Sequence, residues 1–143
     1  MRVFFDTSAF VKRFVDEVGS DKADEITQKA TEVGLSILCF PEMMSALNRK
    51  QRAGFLNERD YLMLKTDIID DIEDAELINL SPGVLEKATG LLEQHVLRSL
   101  DALQIACAFE WQAELFVSSD ERQLAAALDS GLKVELIEGY KQI

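Results

Sequence analysis

Leu115-Phe116-Val117-Ser118-Ser119-Asp120-Glu121-Arg122-Gln123-Leu124-Ala125-Ala126-Ala127-Leu128-Asp129-Ser130-Gly131-Leu132-Lys133-Val134-Glu135-Leu136-Ile137 is the stretch that decides the fold. Leu115-Phe116-Val117 is a short apolar strand that ends at Ser118-Ser119-Asp120. Glu121 to Asp129 reads as a helix, Gly131 ends it, and Val134 to Ile137 is the next strand. When strands are joined through a helix, the helix is a crossover and the strands it joins run parallel.

The same alternation of short apolar runs with longer amphipathic ones fills the rest of the chain. Val3-Phe4-Phe5 is a strand ending at Asp6, and Ala9 to Val15 keeps a helical rhythm before a turn at Gly19. Ser20 to Thr31 is an amphipathic helix with Ala23, Ile26 and Ala30 on its apolar face. Leu35 to Phe40 reads as the second strand, and Pro41 suits the first turn of a helix, Glu42 to Ala53, stopped by Gly54. Asn57 caps a long helix through Tyr61, Leu64, Ile68 and Ile72. Leu77 to Leu80 is the third strand, Ser81-Pro82 starts a helix to about Gln94, and Ser99 caps Leu100 to Trp111, apolar on most sides and so central. The predicted fold is α/β: three layers, a parallel sheet of about five strands flanked by helices. No repeat, linker or low-complexity tract interrupts it, so residues 1–143 read as one domain.

A chain of 143 residues with 48% hydrophobic residues, 7 Gly and 2 Pro buries enough core to fold without metal staples or disulfides. Its net charge of −11 argues against a protein that coats nucleic acid, which needs a basic face. It leaves room for an enzyme that holds nucleic acid at one site, or for a basic partner. Cys39 and Cys107 lie inside apolar runs and read as buried free thiols, which with no secretory leader predicts a reducing cytoplasm. No stretch reaches the roughly 20 apolar residues of a membrane span.

In an open parallel sheet, ligands bind beyond the carboxyl ends of the strands. Asp6 follows the first strand, Glu42 opens the helix after the second, and Asp120 follows the fourth. Chain direction alone puts these three at that edge. Asp101 opens the second of two successive helices, so its place depends on how Val96-Leu97-Arg98 returns the chain. Each has an ordinary reading too: Asp6 as turn former or cap, Glu42 as a dipole partner, Asp120 as an N-cap. Asp101 has the weakest such reading, being a carboxylate in an apolar helix. Together they would repel one another unless helix N-termini and a divalent cation offset the charge. Hard oxygen donors with no convergent His or Cys favour Mg²⁺ or Mn²⁺, which suit phosphodiester hydrolysis. Removing one charge, as in Asp101→Asn, is expected to stabilise the metal-free chain.

Four segments, Val3 to Lys12, Pro41-Glu42 with Ala46-Leu47, Leu97 to Ala106 and Phe116 to Leu124, together resemble the PIN-domain family, and most closely its VapC-type toxins. Leu100-Asp101-Ala102-Leu103 and Asp6-Thr7-Ser8 are the most specific pieces. The resemblance implies a Mg²⁺- or Mn²⁺-dependent endoribonuclease, usually a homodimer, restrained by a cognate antitoxin. It assigns Asp6, Glu42, Asp101 and Asp120 to the acidic quartet, brings Asp101 to the shared edge, and gives Ser8 and Ser118 supporting hydroxyls. Gln104 stands where a His is frequent. Arg49, within Asn48-Arg49-Lys50-Gln51-Arg52, and Arg98 are candidate contacts for RNA phosphate; the ordinary reading of the cluster is a solvated helix end. His95 reads as solvent-facing in a turn, and Trp111, Phe109, Met43, Met44 and Met63 as core or dimer interface rather than base-stacking surface.

A phospho-accepting receiver domain would need an acceptor Asp after the third strand, where Leu80-Ser81-Pro82 stands. A haloacid-dehalogenase-type phosphatase would need an Asp in place of Ser8. The alternative that survives is a catalytically silent PIN fold acting through protein–protein contacts.

Overall fold

The computed structural model describes residues 1–139. Its elements run β1 (Arg2–Phe5), α1 (Thr7–Phe10) with a 3-10 turn (Val11–Arg13), α2 (Ser20–Lys29), β2 (Glu32–Ser36), α3 (Cys39–Arg52), α4 (Glu58–Glu73), β3 (Glu76–Ile78), α5 (Pro82–Gln94), α6 (Ser99–Glu110), β4 (Leu115–Ser118), α7 (Glu121–Asp129) and β5 (Val134–Leu136). The five strands form one all-parallel sheet in the order β3-β2-β1-β4-β5. Successive side chains on a strand point to opposite faces, and β1 uses this to feed two cores. Phe4 packs with Val84, Ile105, Phe116 and Leu124 under α5, α6 and α7. Val3 and Phe5 pack with Phe10, Leu35, Met43 and Ile68 under the opposite helices. Cys39 and Cys107 are buried and free, and burial pushes the Cys39 thiol up to about 12.

Several boundaries differ from the sequence reading. The second strand ends at Ser36 rather than Phe40, because Ser36 Oγ accepts from Leu38 N and turns the chain into α3. Cys39 and Phe40 are therefore helical, with Pro41 in the first turn; an apolar run shared by a strand and a buried helix start has no periodicity that divides it. The third strand begins at Glu76 and stops at Ile78, where its partner β2 stops at Ser36. The first helix is a single α turn that tightens to 3-10 at Val11. Ser99 is the first residue of α6 rather than its cap, and Arg98 takes the cap position without a side-chain bond to the helix. Ser81, Asn57 and Asp120 cap as expected. Met43 and Trp111 lie in the core, whereas Met63 and Phe109 are exposed. No helix among the described residues is long and apolar enough to cross a membrane.

Candidate active site

From β1 the chain builds outward to β2 and β3, then crosses back to β4 and β5 on the other side. The strand order therefore reverses between β1 and β4, and a crevice opens at their carboxyl ends. Asp6 N donates to Val117 O across this seam. A cleft of about 230 Å³ lies there, and Asp6, Glu42, Asp101 and Asp120 all line it, with Thr7, Ser8 and Arg98. The chain thus returns Asp101 to the edge that chain direction assigned to the other three.

Each carboxylate has its own donors. Asp6 is buried and caps α1: Oδ2 accepts from Ser8 N at 3.2 Å and Ser8 Oγ at 2.6 Å, and Oδ1 accepts from Gln123 Nε2 at 3.2 Å. Burial raises its pKa above the ordinary Asp value; the bonds from Ser8 and Gln123 oppose that, and the charge of Asp101 adds to it. Glu42 is half-buried in the first turn of α3, and its Oε1 accepts from Gln104 Nε2 at 2.8 Å and Thr7 Oγ1 at 3.1 Å. Its pKa is also raised, by burial first, against the pull of those two donors. Asp101 accepts from Arg98 Nε at 3.1 Å and Nη2 at 3.4 Å. Asp120 caps α7, with Oδ1 accepting from Arg122 N at 2.9 Å and Gln123 N at 3.3 Å.

Among the described residues, no three His, Cys, Asp or Glu side chains converge closely enough to grip an ion as they stand. Relief of the crowding comes from helix N-termini and hydroxyls, as expected, and also from the Gln104 and Gln123 amides and the Arg98 guanidinium, which the sequence reading did not foresee. The donor set still fits a hard divalent cation: four carboxylates on one cleft, with the Thr7 and Ser8 hydroxyls beside them and no His or Cys in its lining. A larger depression of about 770 Å³ lies beyond Asp120 and contains none of the other three.

Ser8 and Ser118 both stand beside Asp6, their Oγ atoms 3.4 Å apart. Arg98 lines the cleft, but its guanidinium is committed to Asp101. Arg49 is exposed on α3 and lies outside the cleft lining. His95 ends α5 away from the cleft and is mostly covered rather than solvent-facing, with Nε2 4.0 Å from Asp129.

Thr7, Gln104 and Gln123 shape the site, although the sequence reading gave none of them a role in it. Thr7 and Gln104 hold Glu42. Gln123 is fully buried and ties three elements together: Nε2 donates to Asp6 and to the Asp101 carbonyl, and Oε1 accepts from Ser118 Oγ at 2.6 Å. The available signal was a polar residue on an otherwise apolar helix face, which for Gln104 in α6 is plain.

The family model for the PIN domain matches residues 3–128. Ribonuclease VapC45 of Mycobacterium tuberculosis (strain CDC 1551 / Oshkosh) is 32% identical over 106 residues, 74% of this chain and 74% of that protein. Among solved structures, VapC20 of Mycobacterium tuberculosis, described as a sarcin–ricin loop cleaving toxin, superposes with a TM-score of 0.67 at 17% identity, covering 87% of this chain and 94% of that one. VapBC2 from Rickettsia felis, bound to a DNA fragment from its promoter, gives 0.67 at 17% identity, covering 95% and 98%. At such identities the two structures speak for the fold alone. The matched span reaches from β1 into α7 and includes all four carboxylates of the cleft, and the chain belongs to the PIN-domain family.

Proposed function

We propose that the chain is a divalent-metal-dependent endoribonuclease, the toxin of a type II toxin–antitoxin pair, with residues 1–143 as one nuclease unit. The observation that carries this reading is the gathering of Asp6, Glu42, Asp101 and Asp120 on one cleft at the strand-order switch. The curated relatives named ribonucleases supply the substrate class. Asp6, Glu42, Asp101 and Asp120 are the residues that would hold Mg²⁺ or Mn²⁺, and such an ion would supply charge for the phosphate and an acidified water. Glu42 takes both of its donors at Oε1, leaving Oε2 without a partner among the described residues. That oxygen is available to hold the ion or to orient an attacking water. Ser8 and Gln123 fix the Asp6 rotamer, so Asp6 meets substrate already oriented. Arg98 offers its exposed guanidinium to a phosphate once it leaves Asp101. A cytoplasmic location, a homodimer and a cognate antitoxin belong to the same reading; several structural neighbours are themselves toxin–antitoxin complexes.

One other reading is a silent PIN fold that works through protein contacts. One assay separates them. The first reading expects cleavage of single-stranded RNA in Mn²⁺, abolished by EDTA and reduced on the order of 100-fold or more in Asp6→Asn and in Asp101→Asn. Full activity in either variant, purified free of other nucleases, would refute it.

A further inference from the structure

We infer that the tip of the α3–α4 hairpin is a docking surface for single-stranded RNA, with Phe55 stacking on a base and Arg49, Lys50, Arg52 and Arg59 meeting phosphates. The inference rests on the ribonuclease reading for its ligand class and deepens it. Residues 48–60 carry four cations against Glu58 and Asp60, a net of +2, while the rest of the chain carries −13. Those two carboxylates lie in the first turn of α4, where the helix dipole holds them. All four cations are exposed, and none has an ion-pair partner among the described residues. Complementing the C-terminal dipole of α3 accounts for cations in its last turn, but not for Arg59 or for the aromatic residue between them.

Phe55 is 80% exposed, the most exposed aromatic side chain among the described residues. Its backbone is fixed nonetheless. Gly54 adopts φ +85°, Gly54 N donates to Gln51 O and Phe55 N donates to Lys50 O, the double closure that ends a helix on a left-handed glycine. In that motif the residue at the Phe55 position usually packs back on the helix, but here the facing residue is Lys50. The turn therefore holds an apolar ring out in water, flanked by positive charge. Bases stack on aromatic rings irrespective of sequence, and a basic groove tracks the strand.

The surface is continuous with the cleft. Glu42 and Ala46 line the cleft, and Arg49 follows on the same face of α3, two turns and about 10 Å beyond Glu42. A polyanion engaged at the cleft is thus met by cations further along one helix. A basic partner peptide is repelled at this tip and drawn to the acidic cleft instead, so the charge favours RNA over such a peptide.

The test measures binding of a fluorescein-labelled single-stranded RNA of about 12 nucleotides by anisotropy, in the cleavage-blocked Asp101→Asn protein. Phe55→Ala is expected to weaken binding about fivefold or more, with Phe55→Tyr restoring it. Arg49→Ala with Arg52→Ala is expected to lower the slope of log K against log salt by about 1.4. A labelled dinucleotide, confined to the cleft, is expected to bind all variants alike. All the substituted side chains are exposed, and an unchanged melting temperature confirms folding. Unaltered affinity and salt slope in the variants, or no binding of the longer RNA by the parent, would overturn the inference. So would variants that keep RNA affinity and change only oligomeric mass or protein-partner binding. If the tip variants behave as expected but the unsubstituted protein cleaves no RNA, the nuclease reading fails and the docking surface stands.

Discussion

At Asp6, burial and hydrogen bonding pull in opposite directions, and burial wins. A carboxylate whose folded pKa lies above its unfolded one adds stability that is complete below the ordinary Asp range. That contribution is lost as pH rises through the folded value. Glu42 moves the same way for the same cause, while Glu25 moves oppositely but only as an exposed partner of Lys29. In EDTA, the melting temperature is expected to fall as pH climbs from the ordinary carboxylate range toward neutrality, and Asp6→Asn is expected to flatten that fall. Melting curves across this range check it, and identical pH profiles for the two proteins would contradict it. Crowding alone had pointed to Asp101 as the charge to remove; with Arg98 paired to it, the electrostatic burden shifts to Asp6. Gln123→Leu tests the opposite direction. It strips Asp6 of a donor and leaves the Ser118 hydroxyl without its 2.6 Å partner, a loss of about 1–3 kcal/mol that urea unfolding would register. The pH dependence in EDTA is expected to steepen. The sequence left Gln123 without a role, because its value comes from α7 meeting the start of α6, a contact between residues 22 positions apart.

At the scale of elements, helix starts do much of the positioning, and α7 shows how one residue serves two ends. Asp120 Oδ1 accepts two backbone N–H groups, so the carboxylate is both cap and cleft wall. The two duties separate by substitution. Asp120→Asn keeps a good capping side chain and removes the charge, so activity is expected to fall with little change in melting temperature. Asp120→Ala loses both, with a further cost of about 1 kcal/mol in stability. Equal destabilisation by the two, read by thermal unfolding, would show that the charge rather than the cap supports α7. Caps such as Ser81, Asn57 and Asp120 were legible because a short polar side chain before an apolar rhythm has one local meaning. The β2–α3 boundary was not. Leu35 to Phe40 is apolar throughout except for Ser36, and what turns the chain is that serine's hydroxyl. Ser99 misled for a similar reason: it has the right side chain one position too late, after an arginine whose side chain turns to Asp101.

Across the whole molecule, the alternation of strands and helices made the parallel sheet readable, but not its order. The order decides that β1 and β4 are neighbours and that the crevice lies between them. Local pattern could therefore bring Asp6 and Asp120 to one edge, while Asp101 needed either the family resemblance or the structure. The resulting acidic cleft in a chain of net charge −11 attracts cations of two kinds. A divalent ion that binds only the folded state stabilises it by about 2.7 kcal/mol when it stands at about 100 times its Kd. For a chain of this size that is several degrees of melting temperature. A guanidinium competes for the same oxygens, as Arg98 already does at Asp101 from within the chain. A partner peptide bearing an arginine over the cleft is accordingly expected to inhibit by taking the ion's place, with apparent affinity falling as Mn²⁺ rises. Substituting that arginine by alanine is expected to remove the dependence on Mn²⁺ while leaving whatever affinity apolar contacts supply. Titrating both peptides against RNA cleavage at several Mn²⁺ concentrations distinguishes displacement from simple cover. Equal inhibition by the two, insensitive to the ion, would mean that the partner blocks the entrance without touching the carboxylates.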